Sequence, residues 1–139
     1  MVATLNQATE RIYQTFQTDW GTTSVFTFDN EEFDPPEAGV DWVRLAVRHF
    51  DSNQETLGGV GNRKFLREGR IFVQCFTALD KGRAAADNLA TIARNIFEGK
   101  TLGTESIRCT DSVVREIGPI DDGFYQVNVE IAFNYDEVK

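Results

Sequence analysis

The sequence predicts an α+β fold: one mainly antiparallel or mixed β-sheet with two amphipathic helices packed on one face. Three observations lead there. Two stretches carry apolar residues at spacings of three and four, several others alternate strictly, and their order along the chain is α-β-β-β-α-β-β. At 139 residues the chain is expected to be a single domain, 1–139.

Residues 3–17 read as the first helix, with a stripe of Leu5, Ala8, Ile12 and Phe16. Gly21 is placed to cap its end. A short β-rich run follows over Thr23 to Phe28. The segment DNEEFDPPEAG then carries Asp29, Glu31, Glu32, Asp34 and Glu37 around Pro35-Pro36 and reads as an exposed acidic loop. Over 41–50, Val43, Leu45, Val47 and His49 share one strand face; Trp42, Arg44, Ala46, Arg48 and Phe50 share the other. A glycine-rich mobile loop is expected at about 51–66, leading into a strand over Arg70 to Thr77. After a turn at residues 79–82, the second helix is expected over 83–98. Its stripe is Ala85, Ala86, Leu89, Ile92, Ala93, Ile96 and Phe97, and Gly99 ends it. Glu105 to Thr110 and Ser112 to Ile117 read as one bent strand broken near Asp111. Asp121-Asp122-Gly123 reads as a turn, and Phe124 to Tyr135 as the clearest strand.

Composition narrows the function classes. Twenty-two acids against 14 bases make the chain acidic, which disfavours general nucleic-acid binding, where neutralisation of phosphates by Lys and Arg dominates. The N-terminus has neither the basic start nor the apolar core of a signal peptide, and no run is long enough to span a bilayer, so a cytoplasmic origin and no membrane partner are expected. Cys75 and Cys109 sit in strand-like stretches without CxxC spacing and read as buried free thiols.

The stretch TLGGVGNRKFLREGR holds Gly58, Gly59 and Gly61 followed by Arg63, Lys64, Arg67 and Arg70. It resembles a phosphate loop only superficially. Lys64 precedes Phe65 rather than a hydroxyl, and a strand follows where a helix is needed. No nucleophile–base pair accompanies His49, the lone histidine, which reads as structural. The acidic loop lacks EF-hand spacing. No catalytic residue, metal or cofactor is therefore expected.

Four phrases in fixed order carry a family resemblance: the strand DWVRLAVRHF, the loop and strand GGVGNRKFLREGRIFVQCF, an alanine-rich helix ending NIFEGK, and the strand GFYQVNVEIAFNYDEV. Together, from about residue 3 to the end, they resemble the tail terminator, or tail completion, family of long-tailed, lambda-like bacteriophages. That resemblance implies a structural virion protein and no enzyme: a homo-oligomeric ring, usually hexameric, at the head-proximal end of the tail tube. Such a ring ends polymerisation of the tube protein and docks the head-completion, or stopper, protein, while DNA only passes through its lumen. The alternatives are another phage neck or head–tail joining protein and, further off, a DNA-binding module using 63–70. The expected interface residues are Glu31, Glu32 and Asp34 of the acidic loop; Trp42, Arg44 and Arg48 of the aromatic–arginine face; Gly58, Gly59 and Gly61; and Arg63, Lys64 and Arg67. Opposite charge pairs the basic segment of one subunit with the acidic loop of the next.

Overall fold

Thr4 starts the first helix. Its hydroxyl accepts from the Gln7 N–H at 3.3 Å while the Gln7 side chain accepts from the Thr4 N–H at 3.0 Å. This reciprocal pair satisfies two donors that a helix N-terminus otherwise leaves open. The computed structural model describes residues 3–37, 39–120 and 123–139. Helix α1 spans Leu5–Trp20, and Gly21, at φ +57°, donates its N–H to the Gln17 carbonyl and ends it. Ala8, Ile12, Phe16 and Trp20 form the buried stripe. Leu5, expected in that stripe, is 55% exposed instead. It lies in the first turn, at the rim of an open cleft beyond the covered part of the sheet.

The strands are β1 (Val25–Phe28), β2 (Trp42–Gln54), β3 (Lys64–Ala78), β4 (Thr101–Leu102), β5 (Ile107–Pro119) and β6 (Phe124–Val138), with α2 (Ala84–Phe97) between β3 and β4. They form one mixed sheet in the order β1-β2-β3-β6-β5-β4. The expected α+β architecture is thus the observed one, with β4 added. All pairings are antiparallel except β1 with β2, which is parallel. A parallel neighbour cannot be reached by a tight turn, so the acidic segment 29–41 is the crossover connection between β1 and β2. The described part of the expected turn at 121–123 is Gly123, at φ +83°; Asp121 and Asp122 lie outside the described residues.

Both helices cover one face. Their stripes join Val43, Leu45, Ile71, Val73, Val127, Val129 and Ile131 in the main core. Phe16 is its aromatic hub: ring centroids lie 5.1 Å from Trp20, 5.5 Å from Phe26 and 6.4 Å from Phe97. On α2, Ala85 turns to solvent and Ala90 is buried, because the stripe that meets the sheet is Ala86, Leu89, Ala90, Ala93, Ile96 and Phe97. Trp42, Phe76 and Phe124 form a second, smaller core on the opposite face, packed by Phe33 and Ile120.

The strand register breaks at three places. β5 is bulged between Cys109 and Ser112, where the sequence suggested a bend near Asp111, and again between Glu116 and Gly118. β2 is bulged between His49 and Asp51, opposite Gly69. Backbone and ring crowd that glycine: a Cβ there would meet the Arg48 carbonyl oxygen and lie 2.7 Å from Phe133 Cζ. Gly69→Ala is expected to destabilise the chain by about 1–3 kcal/mol, as overpacking does, read as a lowered urea midpoint at unchanged slope.

Cys75 and Cys109 are buried and free, and burial pushes both thiols up to about 12. At neutral pH a thiol reagent should react with neither until the chain unfolds, so labelling rates should follow denaturant concentration. Rapid labelling of the native protein would contradict this placement.

Candidate assembly surface

Helices on one side leave the other side of the sheet open, and the strand alternation decides what it shows. Registered across β2, β3, β6 and β5, the rows of this open face are Arg44–Gln74–Asn128–Arg115 and Ala46–Phe72–Glu130–Val113. Arg48, Arg70 and Ala132 make the next row. At its centre Glu130 is 9% exposed. A carboxylate so covered needs compensating charge; Arg70 Nη1 lies 3.1 Å from Oε1, and Arg115 Nε pairs with Oε2. Two guanidinium groups thus share one acid. Arg44 lies with its guanidinium carbon 5.3 Å from the Trp42 ring centroid, and it forms no ion pair among the described residues. Around these charges stand exposed apolar side chains: Phe50 at 61%, with Val113 half-exposed.

The predicted interface residues fall into three places. Trp42 was expected on a surface that another chain covers, or in a core; it is core, stacked on Phe76 at 4.1 Å and sealed by Phe33 at 5.1 Å. Arg44 and Arg48 do lie on the open face, and Arg48 pairs with Asp29. Its hydrogen bond is the main cause that holds the Asp29 carboxyl below the usual range. Glu31, Glu32 and Asp34 lie exposed on the crossover loop at the rim of that face, where Phe33 pins the loop to Trp42. Among the described residues no ion pair involves Glu31, Glu32, Asp34 or Glu37.

The glycine segment proves shorter than expected and its basic flank is not a loop. β2 continues to Gln54 and β3 begins at Lys64, so residues 51–54 and 64–66 are paired strand. Only 55–63 form the hairpin loop. Gly58 and Gly61 take positive φ there, at +151° and +95°, and the base is tied by Glu55 N–H to the Lys64 carbonyl and Lys64 N–H to Thr56 Oγ1, each at 2.8 Å. The tip is unusual in what it exposes: Leu57 is 94% and Val60 85% accessible. The basic side chains behind it have partners within the chain. Arg63 donates to the Lys139 carbonyl at 3.2 Å, Lys64 approaches Glu55 and Asp136, and Arg67 lies 3.1 Å from Glu137. Lys64 and Arg67 thus have acid partners within the chain, whereas Arg63 meets a carbonyl and no acid among the described residues. The strand alternation splits the flank: Arg67 faces the helix side and Arg70 the open side.

His49 sits on the helix side, beside the first turn of α1 and where the hairpin arm begins. Its Nε2 lies 2.8 Å from Tyr135 Oη, edge-on to Phe133 and Tyr135, in an open cleft of about 600 Å³ with Thr4, Asp51 and Arg67. Burial, then the positive charge of Arg67, lowers the His49 pKa from 6.5. Burial first, then Glu137, raises Tyr135 to about 12. A neutral imidazole accepting from a protonated phenol satisfies both groups, and no nucleophile is aligned with either. Among the described residues, no group of three or more His, Cys, Asp or Glu side chains is placed to hold a metal, and no helix is long and apolar enough to cross a membrane.

No protein-family model matches the chain, and no curated protein matches it. Solved structures do match in fold. One, whose name is a serial identifier that states no function, superposes with a TM-score of 0.62 at 14% identity, over 91% of this chain and 94% of that one. Similarity at that identity establishes the shared fold alone.

Because His49 is held neutral in the folded chain, the unfolded chain takes up its proton first as pH falls. Its contribution to stability is complete above about pH 6.5 and is lost as pH falls through the lower folded value. His49→Gln should remove that part of the decline. The check is the urea midpoint of both proteins between about pH 7.5 and pH 5, and parallel curves would contradict the assignment.

Proposed function

We propose that this chain is a structural subunit that self-associates into a ring at the head-proximal end of a phage tail tube. There it ends tube growth and docks the stopper protein, as the tail terminator resemblance implies. One observation carries the reading most. The chain leaves apolar side chains bare in two places: Leu57 and Val60 within four residues at the arm tip, and Phe50 and Val113 standing singly on the open sheet face. Contiguous exposed apolar surface marks contact with other protein.

The two bare places suit two different neighbours. A ring needs head-to-tail contacts that close on themselves, and a broad sheet face offers area for them. The arm reaches away from the helical layer and ends in glycines, which lets its tip adapt to a surface of another protein such as the tube. Docked there, Leu57 and Val60 would each remove apolar area from water, worth roughly 1.5–3 kcal/mol per side chain if fully covered.

The test is tube length together with mass. Light scattering on the purified chain, alone and with assembled tubes, should find a closed oligomer in at least one condition, and added protein should cap tubes and hold their length. A lasting monomer that neither binds tubes nor limits them overturns the reading. Leu57→Asp with Val60→Asp should leave folding stability within about 0.5 kcal/mol, since both side chains are solvated. The same variant should fail to stop tube growth in electron micrographs.

A further inference from the structure

We infer that the open face of the sheet receives the acidic segment 31–37 of a second copy of this chain. This rests on the self-association proposed above and names the surfaces that meet.

The argument is one of charges that the fold keeps close together and leaves unpaired. The chain as a whole carries −8, yet its open face is led by Arg44, Arg48, Arg70 and Arg115. Against these four stand Asp29, paired to Arg48, Glu130, shared by Arg70 and Arg115, and, toward the hairpin arm and away from Arg44, Glu68. Arg44 has no acid partner among the described residues. Conversely, Glu31, Glu32, Asp34 and Glu37 are all exposed and in no ion pair among them. Phe33, wedged on Trp42, anchors the loop at the rim; Glu31 accepts from the Phe28 N–H at 3.3 Å, while Glu32, Asp34 and Glu37 accept no side-chain hydrogen bond among the described residues. A second copy offers the missing sign to each surface.

The receiving place has form as well as charge. A depression of about 380 Å³ lies on the open face between Arg44, Gln74 and Gln126, floored by Trp42 and Phe76 and bounded by Pro35. Arg44 supplies the counter-charge there, and the amides of Gln74 and Gln126 can each donate to a carboxylate. An entering Asp or Glu fits this set of donors. Pro35 and Pro36 beside those acids stiffen the donor segment, so less freedom is lost on docking. The outward carboxylates of the loop and the Arg44 depression beside it each meet a second copy, and a ring forms where those contacts run head-to-tail.

Sedimentation of the full-length protein tests this, with and without assembled tubes. Arg44→Glu should weaken self-association about tenfold at low salt, and Glu32→Arg with Asp34→Arg should do the same. The variant carrying all three changes should recover most of the loss, and the differences should shrink as salt rises. Thermal unfolding confirms that each variant folds. Should Arg44→Glu not fold, Arg44→Gln keeps the volume without repulsion and should weaken association about threefold. Wild-type oligomers indifferent to every one of these changes would overturn this inference and leave the ring standing. A wild-type monomer under all conditions would overturn both. Duplex DNA bound by the wild type and released by Arg44→Glu, with self-association unaltered, would assign the face to nucleic acid and overturn the inference.

Discussion

Phe16 decides what the rest of the chain can do. Fully buried, it touches Trp20 on its own helix, Phe26 and Phe28 on β1, and Phe97 on α2. One ring therefore joins both helices to the sheet's parallel edge. Aromatic contacts of this kind add about 0.5–1.5 kcal/mol each beyond area burial. With both helices fixed on one side, every even-numbered residue of β3 and β6 is committed to the other side. The arginine-bearing face is a consequence of that packing.

The second face stays folded by other means. At one end it has its own small aromatic core, Trp42, Phe76 and Phe124, closed by Phe33 from the crossover loop. In its middle Glu130 lies between Arg70 and Arg115. Removing either arginine would leave the buried carboxylate short of charge. These groups are satisfied inside the chain, whereas Arg44, Glu32, Asp34 and Glu37 have no ion-pair partner among the described residues. The distinction separates residues that hold the face together from those available to a partner.

The helices and β6 were legible because one side of each is buried, which imposes periodicity on the sequence. The hairpin arm was not. Beyond the helical layer neither face of β2 or β3 meets a core, so Asp51, Ser52, Asn53 and Gln54 carry no alternation and read as loop. β4 is only two residues long, too short to show any pattern. Leu5 and Ala85 fit their helical stripes by spacing, but each lies in a first turn that overhangs the layer beneath. At the candidate surface, Arg44 and Arg48 were legible as the polar half of an alternating strand. The burial of Glu130 and the in-chain partners of Arg63, Lys64 and Arg67 depend on which strands lie side by side, which spacing along one strand does not encode.

The parallel pairing of β1 with β2 has a mechanical consequence. Segment 29–41 is the covalent connection between those two strands, and its first part is held at two points: Asp29 N–H to the Leu45 carbonyl at 2.8 Å, and Phe33 on Trp42. It cannot be shortened to a tight turn without releasing β1, and with β1 go Phe26 and Phe28 from the side of Phe16. A load applied to the loop's carboxylates is thus transmitted through two strands to the joint between the helices. An exposed acidic stretch is thereby linked, through β1, to a fully buried ring.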